Sequence, residues 1–270
     1  MSLNALVEYG CKPYIATSTH LVSSFNLKPF GTPLSVYFDG QEQTNFHRAY
    51  MRSNSIAFDA DLGMPNWVYI DFVLLQTGVV GFMLPREKLP CELKALFARD
   101  PLLKIDELDF VPISGQTAGL AADGKTWTGV SLFSLAKHLP EIKSLGLAVH
   151  TRAIALAAYK ARHFVGITQY DNPAVAIHGK TTKGFFIKQP CVWIHPRTHM
   201  TFVYEQEIDY SLDALTEKPP EPFSFLLRAD DLSKKETIAQ GIASGKRYKI
   251  VSPFRIVKGG DVFLPILEFD

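Results

Sequence analysis

Between Pro140 and Ala148 the chain reads PEIKSLGLA, which sets a cation and a glycine just ahead of an alanine-rich run. The chemistry such a segment offers is anion binding, because the first four N–H groups of a helix lack partners within it and the helix dipole adds about 0.3–1 kcal/mol. Gly146 lets the backbone approach a phosphate closely, and Lys143 supplies a counter-charge. Taken alone, the same residues also describe an ordinary glycine turn into a helix. Two other constellations carry less. His195 and His199 stand four apart, a zinc-clamping interval on a helix, but Pro196 argues against a helix there and no neighbouring Cys or acid completes a set. Cys91 opens a helical run, but a nucleophilic thiol also needs a neighbouring base, and a buried or surface thiol is the favoured reading. No metal is expected. No Walker loop, dinucleotide fingerprint or Gly-x-Ser-x-Gly elbow is present.

The elements that must position the 140–148 segment can be read on both sides of it. Residues 147–161 carry six alanines and no Gly or Pro, so intrinsic propensity predicts a helix whose small side chains pack closely on a sheet. Residues 163–168, HFVGIT, follow as an apolar strand of the kind buried on both faces in a parallel pair. A helix between two such strands predicts a crossover unit, with 126–135 as the strand before it. Asn172 ahead of Pro173 predicts the cap of a short helix that runs to about Thr182 and ends at Gly184, before a strand at 185–188. Upstream, 67–75 and 79–84 read as a hairpin joined by Gln76-Thr77-Gly78, 91–99 as a short helix, and 107–114 as a strand paired with 126–135 across the Ala122-Asp123-Gly124 turn. Downstream, 200–208 reads as a closing strand, Pro219–Pro222 as a linker or turn, and 248–257 and 262–267 as strands of a tail that extends the sheet or pairs with a second copy in a homodimer.

In the order of these pieces the sequence resembles the GNAT superfamily of acyl-CoA N-acyltransferases, over about 65 residues from Thr126 to Lys188. The signature of that family is a strand followed by a Q/R-x-x-G-x-G/A loop, often preceded by Pro-Glu. Lys143, Gly146 and Ala148 occupy the three defining positions behind Pro140-Glu141, and the strand at 163–168, Asn172 and Gly184-Phe185 follow in family order. The resemblance implies an α+β fold with a mixed, twisted β-sheet flanked by helices, in which strands 126–135 and 163–168 splay to admit the pantetheine arm. It implies acetyl-CoA or a longer acyl-CoA as co-substrate, held by Lys143, Ser144, Leu145, Gly146, Leu147, Ala148 and Asn172, and an amine of a small molecule or peptide as acceptor. Lys143 replaces the usual Arg or Gln, and Ser144 stands where a second glycine is frequent.

Many members carry a Tyr that protonates the departing thiolate; the corresponding position here is His178 or Gly179, and imidazole titrates in the right range. His178 reads equally as a helix-surface histidine. Transfer to an amine also requires a base. Strand alternation would place Glu107 and Asp109 on one face, and likewise Glu205 and Glu207 on the closing strand. The strand 126–135 has no acid, which leaves room for a protein that binds acyl-CoA without transferring the acyl group. A small-molecule binder unrelated to CoA is the third reading.

Composition bounds these readings. The 270 residues include 28 basic and 27 acidic side chains, a formal net charge of +1, so bulk charge names no partner, and with no basic stripe of interleaved aromatics nucleic acid is not expected. Hydrophobic residues at 47% require a packed core. Locally, 141–190 holds seven basic against two acidic residues, whereas 201–240 holds nine acidic against four basic, so the middle of the chain is where an anionic ligand is welcome. Three scattered cysteines point to a reducing, cytoplasmic setting, and no apolar run reaches the roughly 18 residues of a membrane span. The sequence divides into an expected core at 1–208, whose first 125 residues wall the acceptor side, and a β-rich extension at 209–270.

Overall fold

A computed structural model describes residues 3–38, 44–58, 77–192, 200–211, 215 and 218–270. The proposed 67–75 arm of the hairpin and His195 and His199 lie outside these residues. The chain forms two compact units, residues 1–124 with 129–160, and residues 125–128 with 161–270. Each is α+β, a mixed sheet with helices along it. The tail beyond 208 is continuous with the second unit and does not stand apart from it.

The first unit contains helix α1 (Leu3–Tyr9), strands β1 (Lys12–Thr17) and β2 (Ser35–Tyr37), helix α2 (Thr44–Ala57), strand β3 (Thr77–Pro85), helix α3 (Cys91–Phe97), and strands β4 (Phe110–Pro112) and β5 (Ser114–Leu120). Strand β6 (Thr126–Ser134) passes from the second unit into the first and leads to helix α4 (Leu147–Ala158). Within this unit the strand order is β2-β1-β3-β5-β6, with β1 and β2 parallel and β3 antiparallel to β1, β4 and β5. Strand β5 shows how the layers stack. Ser114 and Gln116 bond to residues of α4, while the Tyr50 hydroxyl of α2 meets Thr117, so the period-2 alternation puts the two helices on opposite faces. Both faces of β3 are accordingly buried, and an aromatic cluster of Tyr14, Phe46, Tyr50 and Phe133 fills the α2 side.

The second unit continues with β7 (His163–Gln169), helix α5 (Ala174–Gly179), β8 (Thr182–Gln189), β9 (Thr201–Ile208), β10 (Phe225–Arg228), helix α6 (Leu232–Ala243), β11 (Arg247–Ile250), β12 (Ile256–Lys258) and β13 (Asp261–Phe269). Its order is β7-β9-β8-β11-β13-β10, antiparallel throughout, with β12 on β13. The first three residues of β6 lie parallel on β7, from Thr126↔His163 to Thr128↔Val165, and the register goes no further although both strands do.

Several predicted elements differ. Residues 105–107 form a 3₁₀ turn and the strand that neighbours β6 is β5, one segment later than expected. Strand β7 is buried on one face only: Phe164, Gly166 and Thr168 point inward while Ile167 is 46% exposed. Helix α5 stops at Gly179, and Gly184 lies inside β8, because the Thr182 hydroxyl bonds to the carbonyls of Gly184 and Glu207 and starts the strand there with a bulge. The predicted 248–257 strand breaks after Ile250, where Pro253 has no N–H for a ladder. Residues 232–243, not anticipated, form α6 behind the Asp231 side chain, which accepts from the Lys234 N–H at 3.0 Å.

One close approach fixes the first sheet. A Cβ built on Gly81 would sit 2.0 Å from the carbonyl oxygen of Ser114, a backbone atom that cannot swing aside. Gly81→Ala is therefore expected to lower stability by about 3 kcal/mol in urea unfolding; a loss below about 1 kcal/mol would mean that β3 and β5 are not held in this register.

Candidate functional site

Residues Pro140–Leu145 form a 3₁₀ helix anchored by buried Ile142. Gly146 then takes φ 74° and ψ 36°, the left-handed region where a side chain is strained, and α4 begins at Leu147. As N-cap, Gly146 offers no side chain to the first amides of the helix. Its first turn closes by the His150 N–H donating to the Gly146 carbonyl at 3.0 Å. Around this head Lys143 and Ser144 are exposed, Leu145, Gly146 and Ala148 half-buried, and Leu147 buried. Five of the six expected positions are thus open wholly or in part, and the segment has the elements of an anion site: helix-end donors, an exposed cation and a glycine.

Besides apolar packing, polar bonds that sequence reasoning missed hold α4 in place. Arg152 is fully buried, with Nη1 donating to Gln116 Oε1 at 3.0 Å, and Gln116 in turn donates through Nε2 to the Ser131 and Thr117 carbonyls. One turn away, Thr151 donates to the Leu147 carbonyl at 2.7 Å and accepts from Ser114, whose oxygen takes the Phe82 N–H. The Tyr159 hydroxyl bonds to the Gly78 and Gln116 carbonyls, and burial drives its pKa far up. These bonds tie the helix to β3, β5 and β6. His150, also missed, is 1% exposed, and neither ring nitrogen has a hydrogen-bond partner among the described residues. Burial lowers its pKa to about 4. In the sequence His150 stands next to Thr151 and Arg152, so nothing local signals its burial.

In the second unit Asn172 performs the capping expected of it, its Oδ1 accepting the Ala174 N–H at 2.8 Å. His178 is buried, which corrects the surface reading. Its Nε2 lies 3.3 Å from the Tyr204 hydroxyl, the two ring centroids are 5.1 Å apart, and Phe185 packs edge-on. The Tyr204 ring lies over Gly166, its cross-strand partner.

The proposed bases fare differently. Glu107 belongs to a 3₁₀ turn, exposed and paired with Lys104 at 3.1 Å, and Asp109 is exposed beyond it, so no strand alternation places them on a common face. Glu205 and Glu207 do lie on β9, with Glu205 paired to Lys188 at 3.0 Å. Residues 107, 109 and 143–148 lie in the first unit, and Asn172 and His178 in the second. All three cysteines are free; Cys91 is exposed and Cys11 is buried, its thiol pushed up to about 12. Among the described residues no cluster of His, Cys, Asp or Glu suits a metal, and no helix is long and apolar enough to cross a membrane.

No protein-family model matches the chain, and no curated protein matches it in sequence. Among solved structures it is similar to the one described as "the putative acyl-CoA N-acyltransferase from Klebsiella pneumoniae subsp. pneumoniae MGH 78578", with a TM-score of 0.31 and 10% sequence identity over 63% of this chain and 91% of that one.

The His150 environment has a pH consequence. Its folded pKa of about 4 lies below the ordinary 6.5, so between these values the unfolded chain binds more protons than the folded one, and stability falls as pH drops through that window. Between pH 7 and pH 4.5 the melting temperature of His150→Phe protein should fall less than that of the wild type. Parallel pH profiles would show that His150 is not desolvated in the fold.

Proposed function

We propose that the protein is an acyl-CoA-dependent N-acyltransferase of the GNAT type. The observation that carries this reading is the left-handed Gly146 at the uncapped head of α4, in the middle of the K-x-x-G-x-A segment. Backbone N–H groups there hold the coenzyme A diphosphate, with Lys143 and Ser144 at its edge, and the main chain of β6 past Thr128, where the parallel ladder to β7 ends, binds the pantetheine amides. In the reaction an amine nitrogen attacks the thioester carbonyl, the C–S bond breaks, the thiolate takes a proton, and the ammonium proton goes to a base. Cytoplasmic location and an amine acceptor belong to the same proposal.

A second reading, an acyl-CoA binder without transferase activity, is favoured by one finding: Glu107 and Asp109, the bases expected upstream, are a solvent-exposed turn pair and not strand residues facing a cleft.

Thermal unfolding with acetyl-CoA, longer acyl-CoAs and free CoA tests what the two readings share. A hundredfold excess over Kd should add about 2.7 kcal/mol of stability, and Gly146→Val, which puts a branched side chain at a positive φ, should weaken CoA binding at least tenfold while the protein still folds. No stabilisation by any of these ligands would refute both. Thiol release from acyl-CoA across an amine panel then separates them: turnover supports the transferase, and binding without release supports the binder.

A further inference from the structure

The head of α4 has a second feature besides its free donors. His150 is in its first turn, and a helical side chain leans toward the N-terminus and over the residue four positions back. For His150 that residue is Gly146, which has no side chain, with half-buried Ala148 alongside. By that geometry the imidazole leans over the turn that begins at Gly146, the N-cap residue of the helix. It is also an anomaly within the fold. Nearly all buried polar groups in proteins are hydrogen-bonded, and a neutral imidazole brings one donor and one acceptor. His150 is 1% exposed, and neither Nδ1 nor Nε2 meets a partner among the described residues, although Thr151 and Arg152 beside it are fully engaged. A Leu or Phe would fill the same space without leaving a polar group unmatched.

We infer that His150 is a ligand-binding residue of this site, donating a ring N–H to a phosphate oxygen of a diphosphate seated on the amides of Leu147, Ala148 and Val149. The identity of that ligand as acyl-CoA rests on the function proposed above; the diphosphate chemistry does not. The arrangement makes His150 a direct contact to the ligand and explains why a buried helix keeps an unpartnered polar group.

The test is titration of histidine-labelled protein with CoA and, separately, with inorganic pyrophosphate, following the His150 ring nitrogens by NMR and measuring Kd for wild type, His150→Gln and His150→Phe. The inference expects the ring signals to move on binding, a loss of tenfold or more in affinity for His150→Phe, a loss below threefold for His150→Gln, which keeps an N–H donor, and a His150→Phe melting temperature no lower than wild type. If CoA binds wild type and His150→Phe equally and the ring signals stay still, the inference fails and the acyl-CoA reading survives. If CoA does not bind but pyrophosphate moves the ring signals, the diphosphate contact stands and the acyl-CoA reading falls. If neither ligand moves them and neither binds, both are overturned.

Discussion

A helix buried on nearly every side cannot send its backbone groups to water, so its ends decide what it can do. Helix α4 is such a helix: of its twelve residues only Ala148 is more than marginally accessible. At the far end the requirement is met within the protein. The Asn26 N–H donates to the Ala158 carbonyl at 2.7 Å and Lys160 turns the chain away with a positive φ. At the near end the N-cap residue is a glycine with a left-handed backbone, which has no side chain to perform the equivalent service. The functional reading depends on this asymmetry between the two ends.

The polar bonds along α4 have meaning in that light. A buried Arg is expensive to desolvate and is tolerated only where its donors are matched. Arg152 meets Gln116, which bonds onward to the β6 main chain, so one network fixes the helix to the strand that precedes it. The Ser114–Thr151 pair and the Tyr159 hydroxyl add fixed points on β5 and β3. Directional bonds set the position of a helix more narrowly than apolar contact does, and a site at its head inherits that precision. The His178–Tyr204 pair is built differently: it is held by aromatic packing against Phe185 and by the absence of a side chain at Gly166.

How much of this could be read from the sequence follows from which signals are local. The six alanines announced α4, Gly146 announced its turn, and the alternation in 201–208 announced β9, because each depends on residues within a few positions. Signals that depend on partners far along the chain were silent. Helix α6 contains Ser, Thr and Gly and a polar face, so its propensity is weak, and its cap at Asp231 is the one local cue. Residues 107–114 looked like a strand by composition, yet the backbone turns at 105–107 and the ladder with β3 begins only at Phe110. His178 read as a surface residue since nothing near it in sequence reveals Tyr204, 26 positions on, or Phe185 across the turn. The burial of Arg152 and His150 was hidden for the same reason: polar residues in a helix predict a wet face unless the other layer is known.

The account turns on whether the amides at the head of α4 receive a diphosphate, and backbone ¹H–¹⁵N spectra recorded through a CoA titration answer that directly. The account predicts that Gly146, Leu147, Ala148 and Val149 show the largest shifts and saturate with a single Kd. Saturable CoA binding that leaves those four amides where they were would contradict it.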